Sequence, residues 1–155
     1  MATRKSLFAT LLLGCLMAGA VTAAGQVEVP FRQDGRNKLI FLEARINGKP
    51  ALLLLDSGAT ITIVNARLLE IGDWDLRASK FSTEGPGFGG KAVWADAVLA
   101  LAPTQAAKRR VAAVDLELFA RSIGRRIDGL LGQDFLAEFD HVVIDFKAKK
   151  LLLYQ

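Results

Sequence analysis

Ala51-Leu52-Leu53-Leu54-Leu55-Asp56-Ser57-Gly58-Ala59 is an apolar run that stops at a carboxylate. A polar-free stretch of this length reads as a strand covered on both faces. Asp56 then stands where an interior strand breaks into a tight turn. Partial loss of water there opens its ionisation to tuning by neighbours. Ser57 offers a hydroxyl for local hydrogen bonds. Gly58 omits the side chain that would hold another backbone, or a substrate, at a distance. β-Branched alternation resumes in Thr60-Ile61-Thr62-Ile63-Val64, so the turn is expected between two strands. An Asx turn that merely caps a strand reads the same way on this stretch alone.

The surroundings have the same character. Gln26-Val27-Glu28-Val29-Pro30-Phe31 alternates polar and apolar residues, and Phe41 to Ile46 continues in that style. Asn47-Gly48 is a two-residue hairpin signal that returns the chain into the leucine strand. Asn65 can cap a helical turn over the residues after it. Glu84-Gly85-Pro86-Gly87-Phe88-Gly89-Gly90 is dense in glycine and lies between strand-like Ser79 to Thr83 and Ala92 to Leu101. Val111 to Val114 is a short strand, and Asp115 to Arg121 a short helix. His141 to Phe146 and Leu151 to Tyr154 are strands joined by Lys147-Ala148-Lys149. Many short strands at hairpin spacing imply an all-β barrel or sandwich with one or two short helices.

A second segment, Ile127-Asp128-Gly129-Leu130-Leu131-Gly132-Gln133-Asp134-Phe135-Leu136, is an apolar run broken by glycine and followed by a helical signal. Together the two segments resemble the retropepsin-like aspartic proteases, from about Leu39 to Tyr154. The resemblance implies a closed retropepsin-like barrel. It makes Asp56 the catalytic residue, supported by Ser57, Gly58 and Ala59. Ile127, Gly129 and Leu130 take the place of the second glycine motif, with Asp128 where the family usually carries an apolar residue. The glycine-rich hairpin becomes a flap that closes over a cleft, with Gly87, Phe88, Gly89 and Gly90 as substrate-binding residues and Phe88 at the tip. As a bland alternative, it is only a loose hairpin loop.

Aspartic peptidases need two carboxylates sharing one proton. The charged one activates a water and the protonated one polarises the scissile carbonyl. One Asp-Ser-Gly turn supplies one carboxylate. The resemblance implies that a homodimer completes the pair by placing Asp56 beside its own copy. Within one chain the alternatives are Asp128 and Asp134. Asp134 suits a helix N-terminus, and Asp128 suits a strand end where it accepts backbone amides. The expected activity is therefore that of an aspartic endopeptidase acting on peptide or protein substrates. The alternative is a non-catalytic peptide-binding or envelope scaffold module that keeps the fold.

Residues 1–24 read as a signal peptide: Arg4 and Lys5, then apolar Leu7 to Ala20, then small residues ending at Ala23 or Ala24. Residues 25–155 are then a single domain that is exported, periplasmic or secreted. Cys15 is the only cysteine. Membrane attachment enters only if Cys15, in Leu12-Leu13-Gly14-Cys15, is lipidated. Of twenty basic residues Arg4 and Lys5 lie in the leader, which leaves eighteen against sixteen acidic ones. They are scattered and lack interleaved aromatics, so no nucleic-acid partner is expected. His141 is the only histidine, and neither a metal site nor a cofactor is expected. No Gly-x-Ser-x-Gly elbow and no phosphate loop leading into a helix appear.

Overall fold

The computed structural model describes residues 21–22, 25–35, 38–85, 88–102 and 106–155. Most of the expected leader lies outside this set, as do Cys15 and Gly87. β1 (Val21–Thr22) pairs antiparallel with the start of β2 (Gln26–Gln33). Alternation along β2 buries Val27, Val29 and Phe31. β3 (Ile40–Ile46) and β4 (Lys49–Leu55) form a hairpin with Ile46 opposite Lys49. Asn47 and Gly48 between them have φ of 50° and 76°, as a two-residue loop with the native strand twist requires.

β5 (Ile63–Asn65) leads into a 3₁₀ turn over Ala66–Leu69, and the Asn65 side chain accepts from the Arg67 N–H. α1 (Asp73–Ala78) follows. Then come β6 (Ser82–Gly85), β7 (Phe88–Ala100), β8 (Ala107–Val114) and α2 (Glu117–Ser122). β9 (Gly129–Leu131), α3 (Gln133–Leu136), β10 (His141–Asp145) and β11 (Lys150–Tyr154) complete the chain.

Hydrogen-bonded neighbours run in the order β10-β11-β2-β3-β4-β9-β5-β8-β7-β6. β3 also pairs with β7 through Arg45 opposite Ala100 and Ile46 opposite Leu99. That contact links β3, β4, β9, β5, β8 and β7 into a ring. The protein is all-β with short helices.

The leucine run is free of polar residues because both faces of β4 are covered. Successive side chains on a strand point to opposite faces. Leu53 enters one buried cluster with Leu42, Ile46, Leu99, Leu131 and Leu151. Its neighbour Leu54 enters a second with Phe41, Ile63, Leu116, Ile127 and Leu130. β9 repeats the pattern, with Leu130 on one side and Leu131 on the other. Burying each such leucine is worth about 1.5–3 kcal/mol.

Several elements differ from expectation; β7, for one, begins at Phe88 rather than Ala92. The strand after the Asp56 turn begins at Ile63 rather than Thr60, because residues 60–62 bend over another segment of the chain. α1 occupies residues where no helix was expected. It buries only Leu76 and leaves Trp74 79% exposed, so it carries almost no amphipathic period. β8 begins at Ala107 rather than Val111, since its outer half alternates exposed cations with half-buried residues as it pairs with β7.

Candidate active site

β9 lies between β4 and β5. It pairs parallel with β4, placing Gly129 opposite Leu53 and Leu131 opposite Leu55. It pairs antiparallel with β5, placing Leu130 opposite Ile63. The loop from Asp56 to Thr62 joins β4 to β5 and so arches over the end of β9. The Asp56 N–H donates to the Leu131 carbonyl at 3.0 Å, and the Gln133 N–H donates to the Ala59 carbonyl at 2.8 Å.

Two glycines permit this approach. A Cβ on Gly129 would lie 2.5 Å from the Ile63 carbonyl oxygen and 2.8 Å from Leu53 Cδ2. A Cβ on Gly132 would lie 2.5 Å from the Ile61 carbonyl carbon and 2.9 Å from the Thr62 nitrogen. Of the expected second-motif residues, Gly129 and Leu130 form β9 and buried Ile127 precedes it. The Asp56 loop is met by the Leu131 carbonyl and by Gly132, Gln133 and Asp134, all beyond Leu130.

Asp56 itself is half-buried at the mouth of the turn. Its Oδ1 accepts from the Gly58 N–H at 2.9 Å, and its carbonyl accepts from the Ala59 N–H at 3.1 Å. The Asx turn is thus present, and it fixes the carboxylate. Ser57 and Gly58 are exposed and Ala59 is half-buried. Among the described residues no ion pair engages Asp56. A Cβ at position 58 would stand 3.2 Å from Asp56 Oδ1, a tight fit that favours glycine there.

Thr62, only 1% exposed, supports the loop from below. Its hydroxyl accepts from the Gly132 N–H at 3.2 Å and donates to Asp134 Oδ1 at 2.7 Å. Asp134 Oδ1 also accepts from the Phe135 N–H at 2.8 Å. Arg109 on β8 lies over the Phe135 ring, 4.6 Å from its centroid, and pairs with Glu138. Burial lowers the Arg109 pKa, and the Asp134 charge opposes that shift. This network links β8 and α3 to the Asp56 loop.

Both intrachain candidates are hydrogen-bonded elsewhere. Asp128 Oδ2 accepts from the Leu52 N–H at 3.0 Å. Leu52 lies four residues before Asp56 on β4, about 13 Å along an extended strand. The Asp134 carboxylate is committed to Thr62 and the first turn of α3.

β6 and β7 form the expected glycine-rich hairpin, with Gly85 opposite Phe88, Glu84 opposite Gly89 and Thr83 opposite Gly90. Phe88, Gly89 and Gly90 open β7, and Gly87 lies outside the described residues. His141 stacks on Tyr154 across the β10–β11 pair, with centroids 4.1 Å apart.

A family model described as aspartyl protease matches residues 42–135. The chain belongs to the aspartyl protease family. The match contains the Asp56 loop, β9 and the start of α3. A retropepsin-like aspartic protease from Rickettsia conorii has a similar fold, with a TM-score of 0.53 and 19% identity over 83% of this chain and 89% of that one. The retroviral protease-like domain of Ddi1 from Leishmania major gives a TM-score of 0.47 and 19% identity, covering 74% of this chain and 87% of that one. EIAV protease, in complex with the inhibitor HBY-793, gives 0.40 and 18%, covering 69% and 93%. No curated protein matches the chain. The fold of this aspartyl protease family member is retropepsin-like.

Proposed function

We propose that the chain is an aspartic endopeptidase that works as a homodimer, with one Asp56 from each subunit forming the catalytic pair. The observation that carries this reading is the single carboxylate held on the loop over β9, while Asp128 and Asp134 are engaged elsewhere. One Asp56 acts as general base on a water and its twin, protonated, polarises the scissile carbonyl. The exposed Ser57 hydroxyl is available to hydrogen-bond across the subunit boundary. The β6–β7 hairpin acts as the flap, and an extended substrate lies between it and Asp56, adding main-chain hydrogen bonds as an extra strand.

A second subunit also suits the outermost strand. β10 ends the sheet order, and Val143, Ile144 and the following Phe146 are exposed there. An unpaired edge with apolar side chains is a surface that natural proteins usually cover. The proposed enzyme is exported to the periplasm or beyond, with its leader cut after Ala23 or Ala24. Cleavage of a denatured protein at mildly acid pH tests the reading. Asp56→Asn should abolish cleavage and leave the fold unchanged, and full cleavage by that variant would refute the assignment.

A further inference from the structure

We propose that Gln133 is a positioning residue for Asp56 and acts through the Ser57–Gly58 peptide. Its side-chain amide donates from Nε2 to the Ser57 carbonyl at 2.6 Å. A carbonyl oxygen only accepts, so the amide nitrogen has to be the atom facing it. The Ser57 carbonyl and the Gly58 N–H are the two edges of one planar peptide unit. That N–H is the donor to Asp56 Oδ1 at 2.9 Å. Gln133 therefore holds the plane whose opposite edge carries the donor to the carboxylate.

Hydrogen bonds in series polarise one another, so donation to the carbonyl makes the Gly58 N–H a stronger donor. The relay starts from a fixed base. The Gln133 backbone N–H is bonded to the Ala59 carbonyl of the same loop at 2.8 Å, and Gly132 before it is packed against Ile61. Ser57, Gly58 and Gln133 are all exposed in the single chain. The core does not depend on this bond, which points to orientation of the carboxylate rather than stability. A residue that sets the direction of a reacting group acts on the chemical step more than on substrate binding.

The kinetic part of this inference rests on the peptidase reading; the structural part does not. Gln133→Met removes the donor at similar length, and Gln133→Arg restores a donor. In ¹H–¹⁵N spectra of the full chain, the Gly58 amide proton should move upfield in Gln133→Met and return toward its wild-type position in Gln133→Arg. On a denatured protein substrate, kcat should fall roughly fivefold in Gln133→Met with KM unchanged, the equivalent of one ordinary hydrogen bond, and recover in Gln133→Arg. A Gly58 amide that does not move in Gln133→Met overturns the proposal. So does a shift that Gln133→Arg fails to reverse, or a rise in KM with kcat intact. If the wild-type chain cleaves nothing, the peptidase reading falls and the Gly58 shift alone decides the role of Gln133.

Discussion

Gly132 sits so close to Ile61 that a Cβ added to it would lie 2.5 Å from the Ile61 carbonyl carbon and 2.6 Å from its oxygen. Both atoms are backbone, so no side chain can swing aside. The loop carrying Asp56 would have to lift from the end of β9. Gly132→Ala is expected to cost about 3 kcal/mol, at the upper end of overpacking effects, and to reduce cleavage through displacement of the loop. Urea unfolding of the variant beside wild type measures the first effect. A change within a few tenths of a kcal/mol would show that the loop is not seated on β9 as described.

Thr62 tests the support beneath the same loop. Its buried hydroxyl satisfies both the Gly132 N–H and the Asp134 carboxylate. Thr62→Val keeps the shape and removes the oxygen, leaving the buried Gly132 N–H without its partner, while Asp134 keeps only its bond from the Phe135 N–H. The expected loss is about 1–3 kcal/mol, the desolvation cost of unsatisfied polar groups. Thr62→Ser, which keeps the hydroxyl, should lose clearly less. Equal denaturation midpoints for the two variants would remove the hydrogen-bond argument.

The parts of the fold that depend on neighbouring residues could be read from the chain alone. The leucine run, the Asn47-Gly48 loop, the Asp56 turn and the β10–β11 hairpin each announce themselves by period or turn chemistry. The Gln133 contact with Ser57 joins residues 76 apart, and it exists only because β9 enters between β4 and β5. No local window reveals that. Gly129 is the first glycine of the run, whereas Gly132, three residues on, meets the loop. The one available signal was Leu130-Leu131-Gly132, two leucines with a glycine directly before a helix start. α1 is not legible in the chain because a six-residue helix with one buried side chain has no period to detect.

Acid should loosen α2 through Glu117. Its carboxylate is held below the usual range first by the hydrogen bond from Arg121, then by that from Arg67. A carboxyl with a lowered folded pKa stabilises the fold above its unfolded value, about 4.3. That contribution fades as pH falls through the lower folded value. Glu117→Gln should therefore be slightly less stable than wild type at pH 7, and the gap should be smaller at pH 3. All three side chains are solvent-exposed, so salt should also narrow it. Thermal midpoints at the two pH values give the answer, and a gap that widens in acid would contradict the ion-pair assignment.

Mixing subunits distinguishes a shared site from a complete one. If each active centre needs Asp56 from two chains, an Asp56→Asn subunit disables any dimer it joins. Wild type and Asp56→Asn combined in equal amounts, unfolded together and refolded, would pair at random. About a quarter of the dimers would then carry two aspartates, the binomial share for a two-fold assembly. Cleavage should fall to about a quarter of that of the same total amount of wild type. A site complete within one chain would retain about half, because the wild-type subunits would work unaided. Sedimentation of the refolded mixture, confirming two-subunit particles, ties the activity to the assembly. Retention of half the activity in such particles would return the search for a second carboxylate to the chain itself.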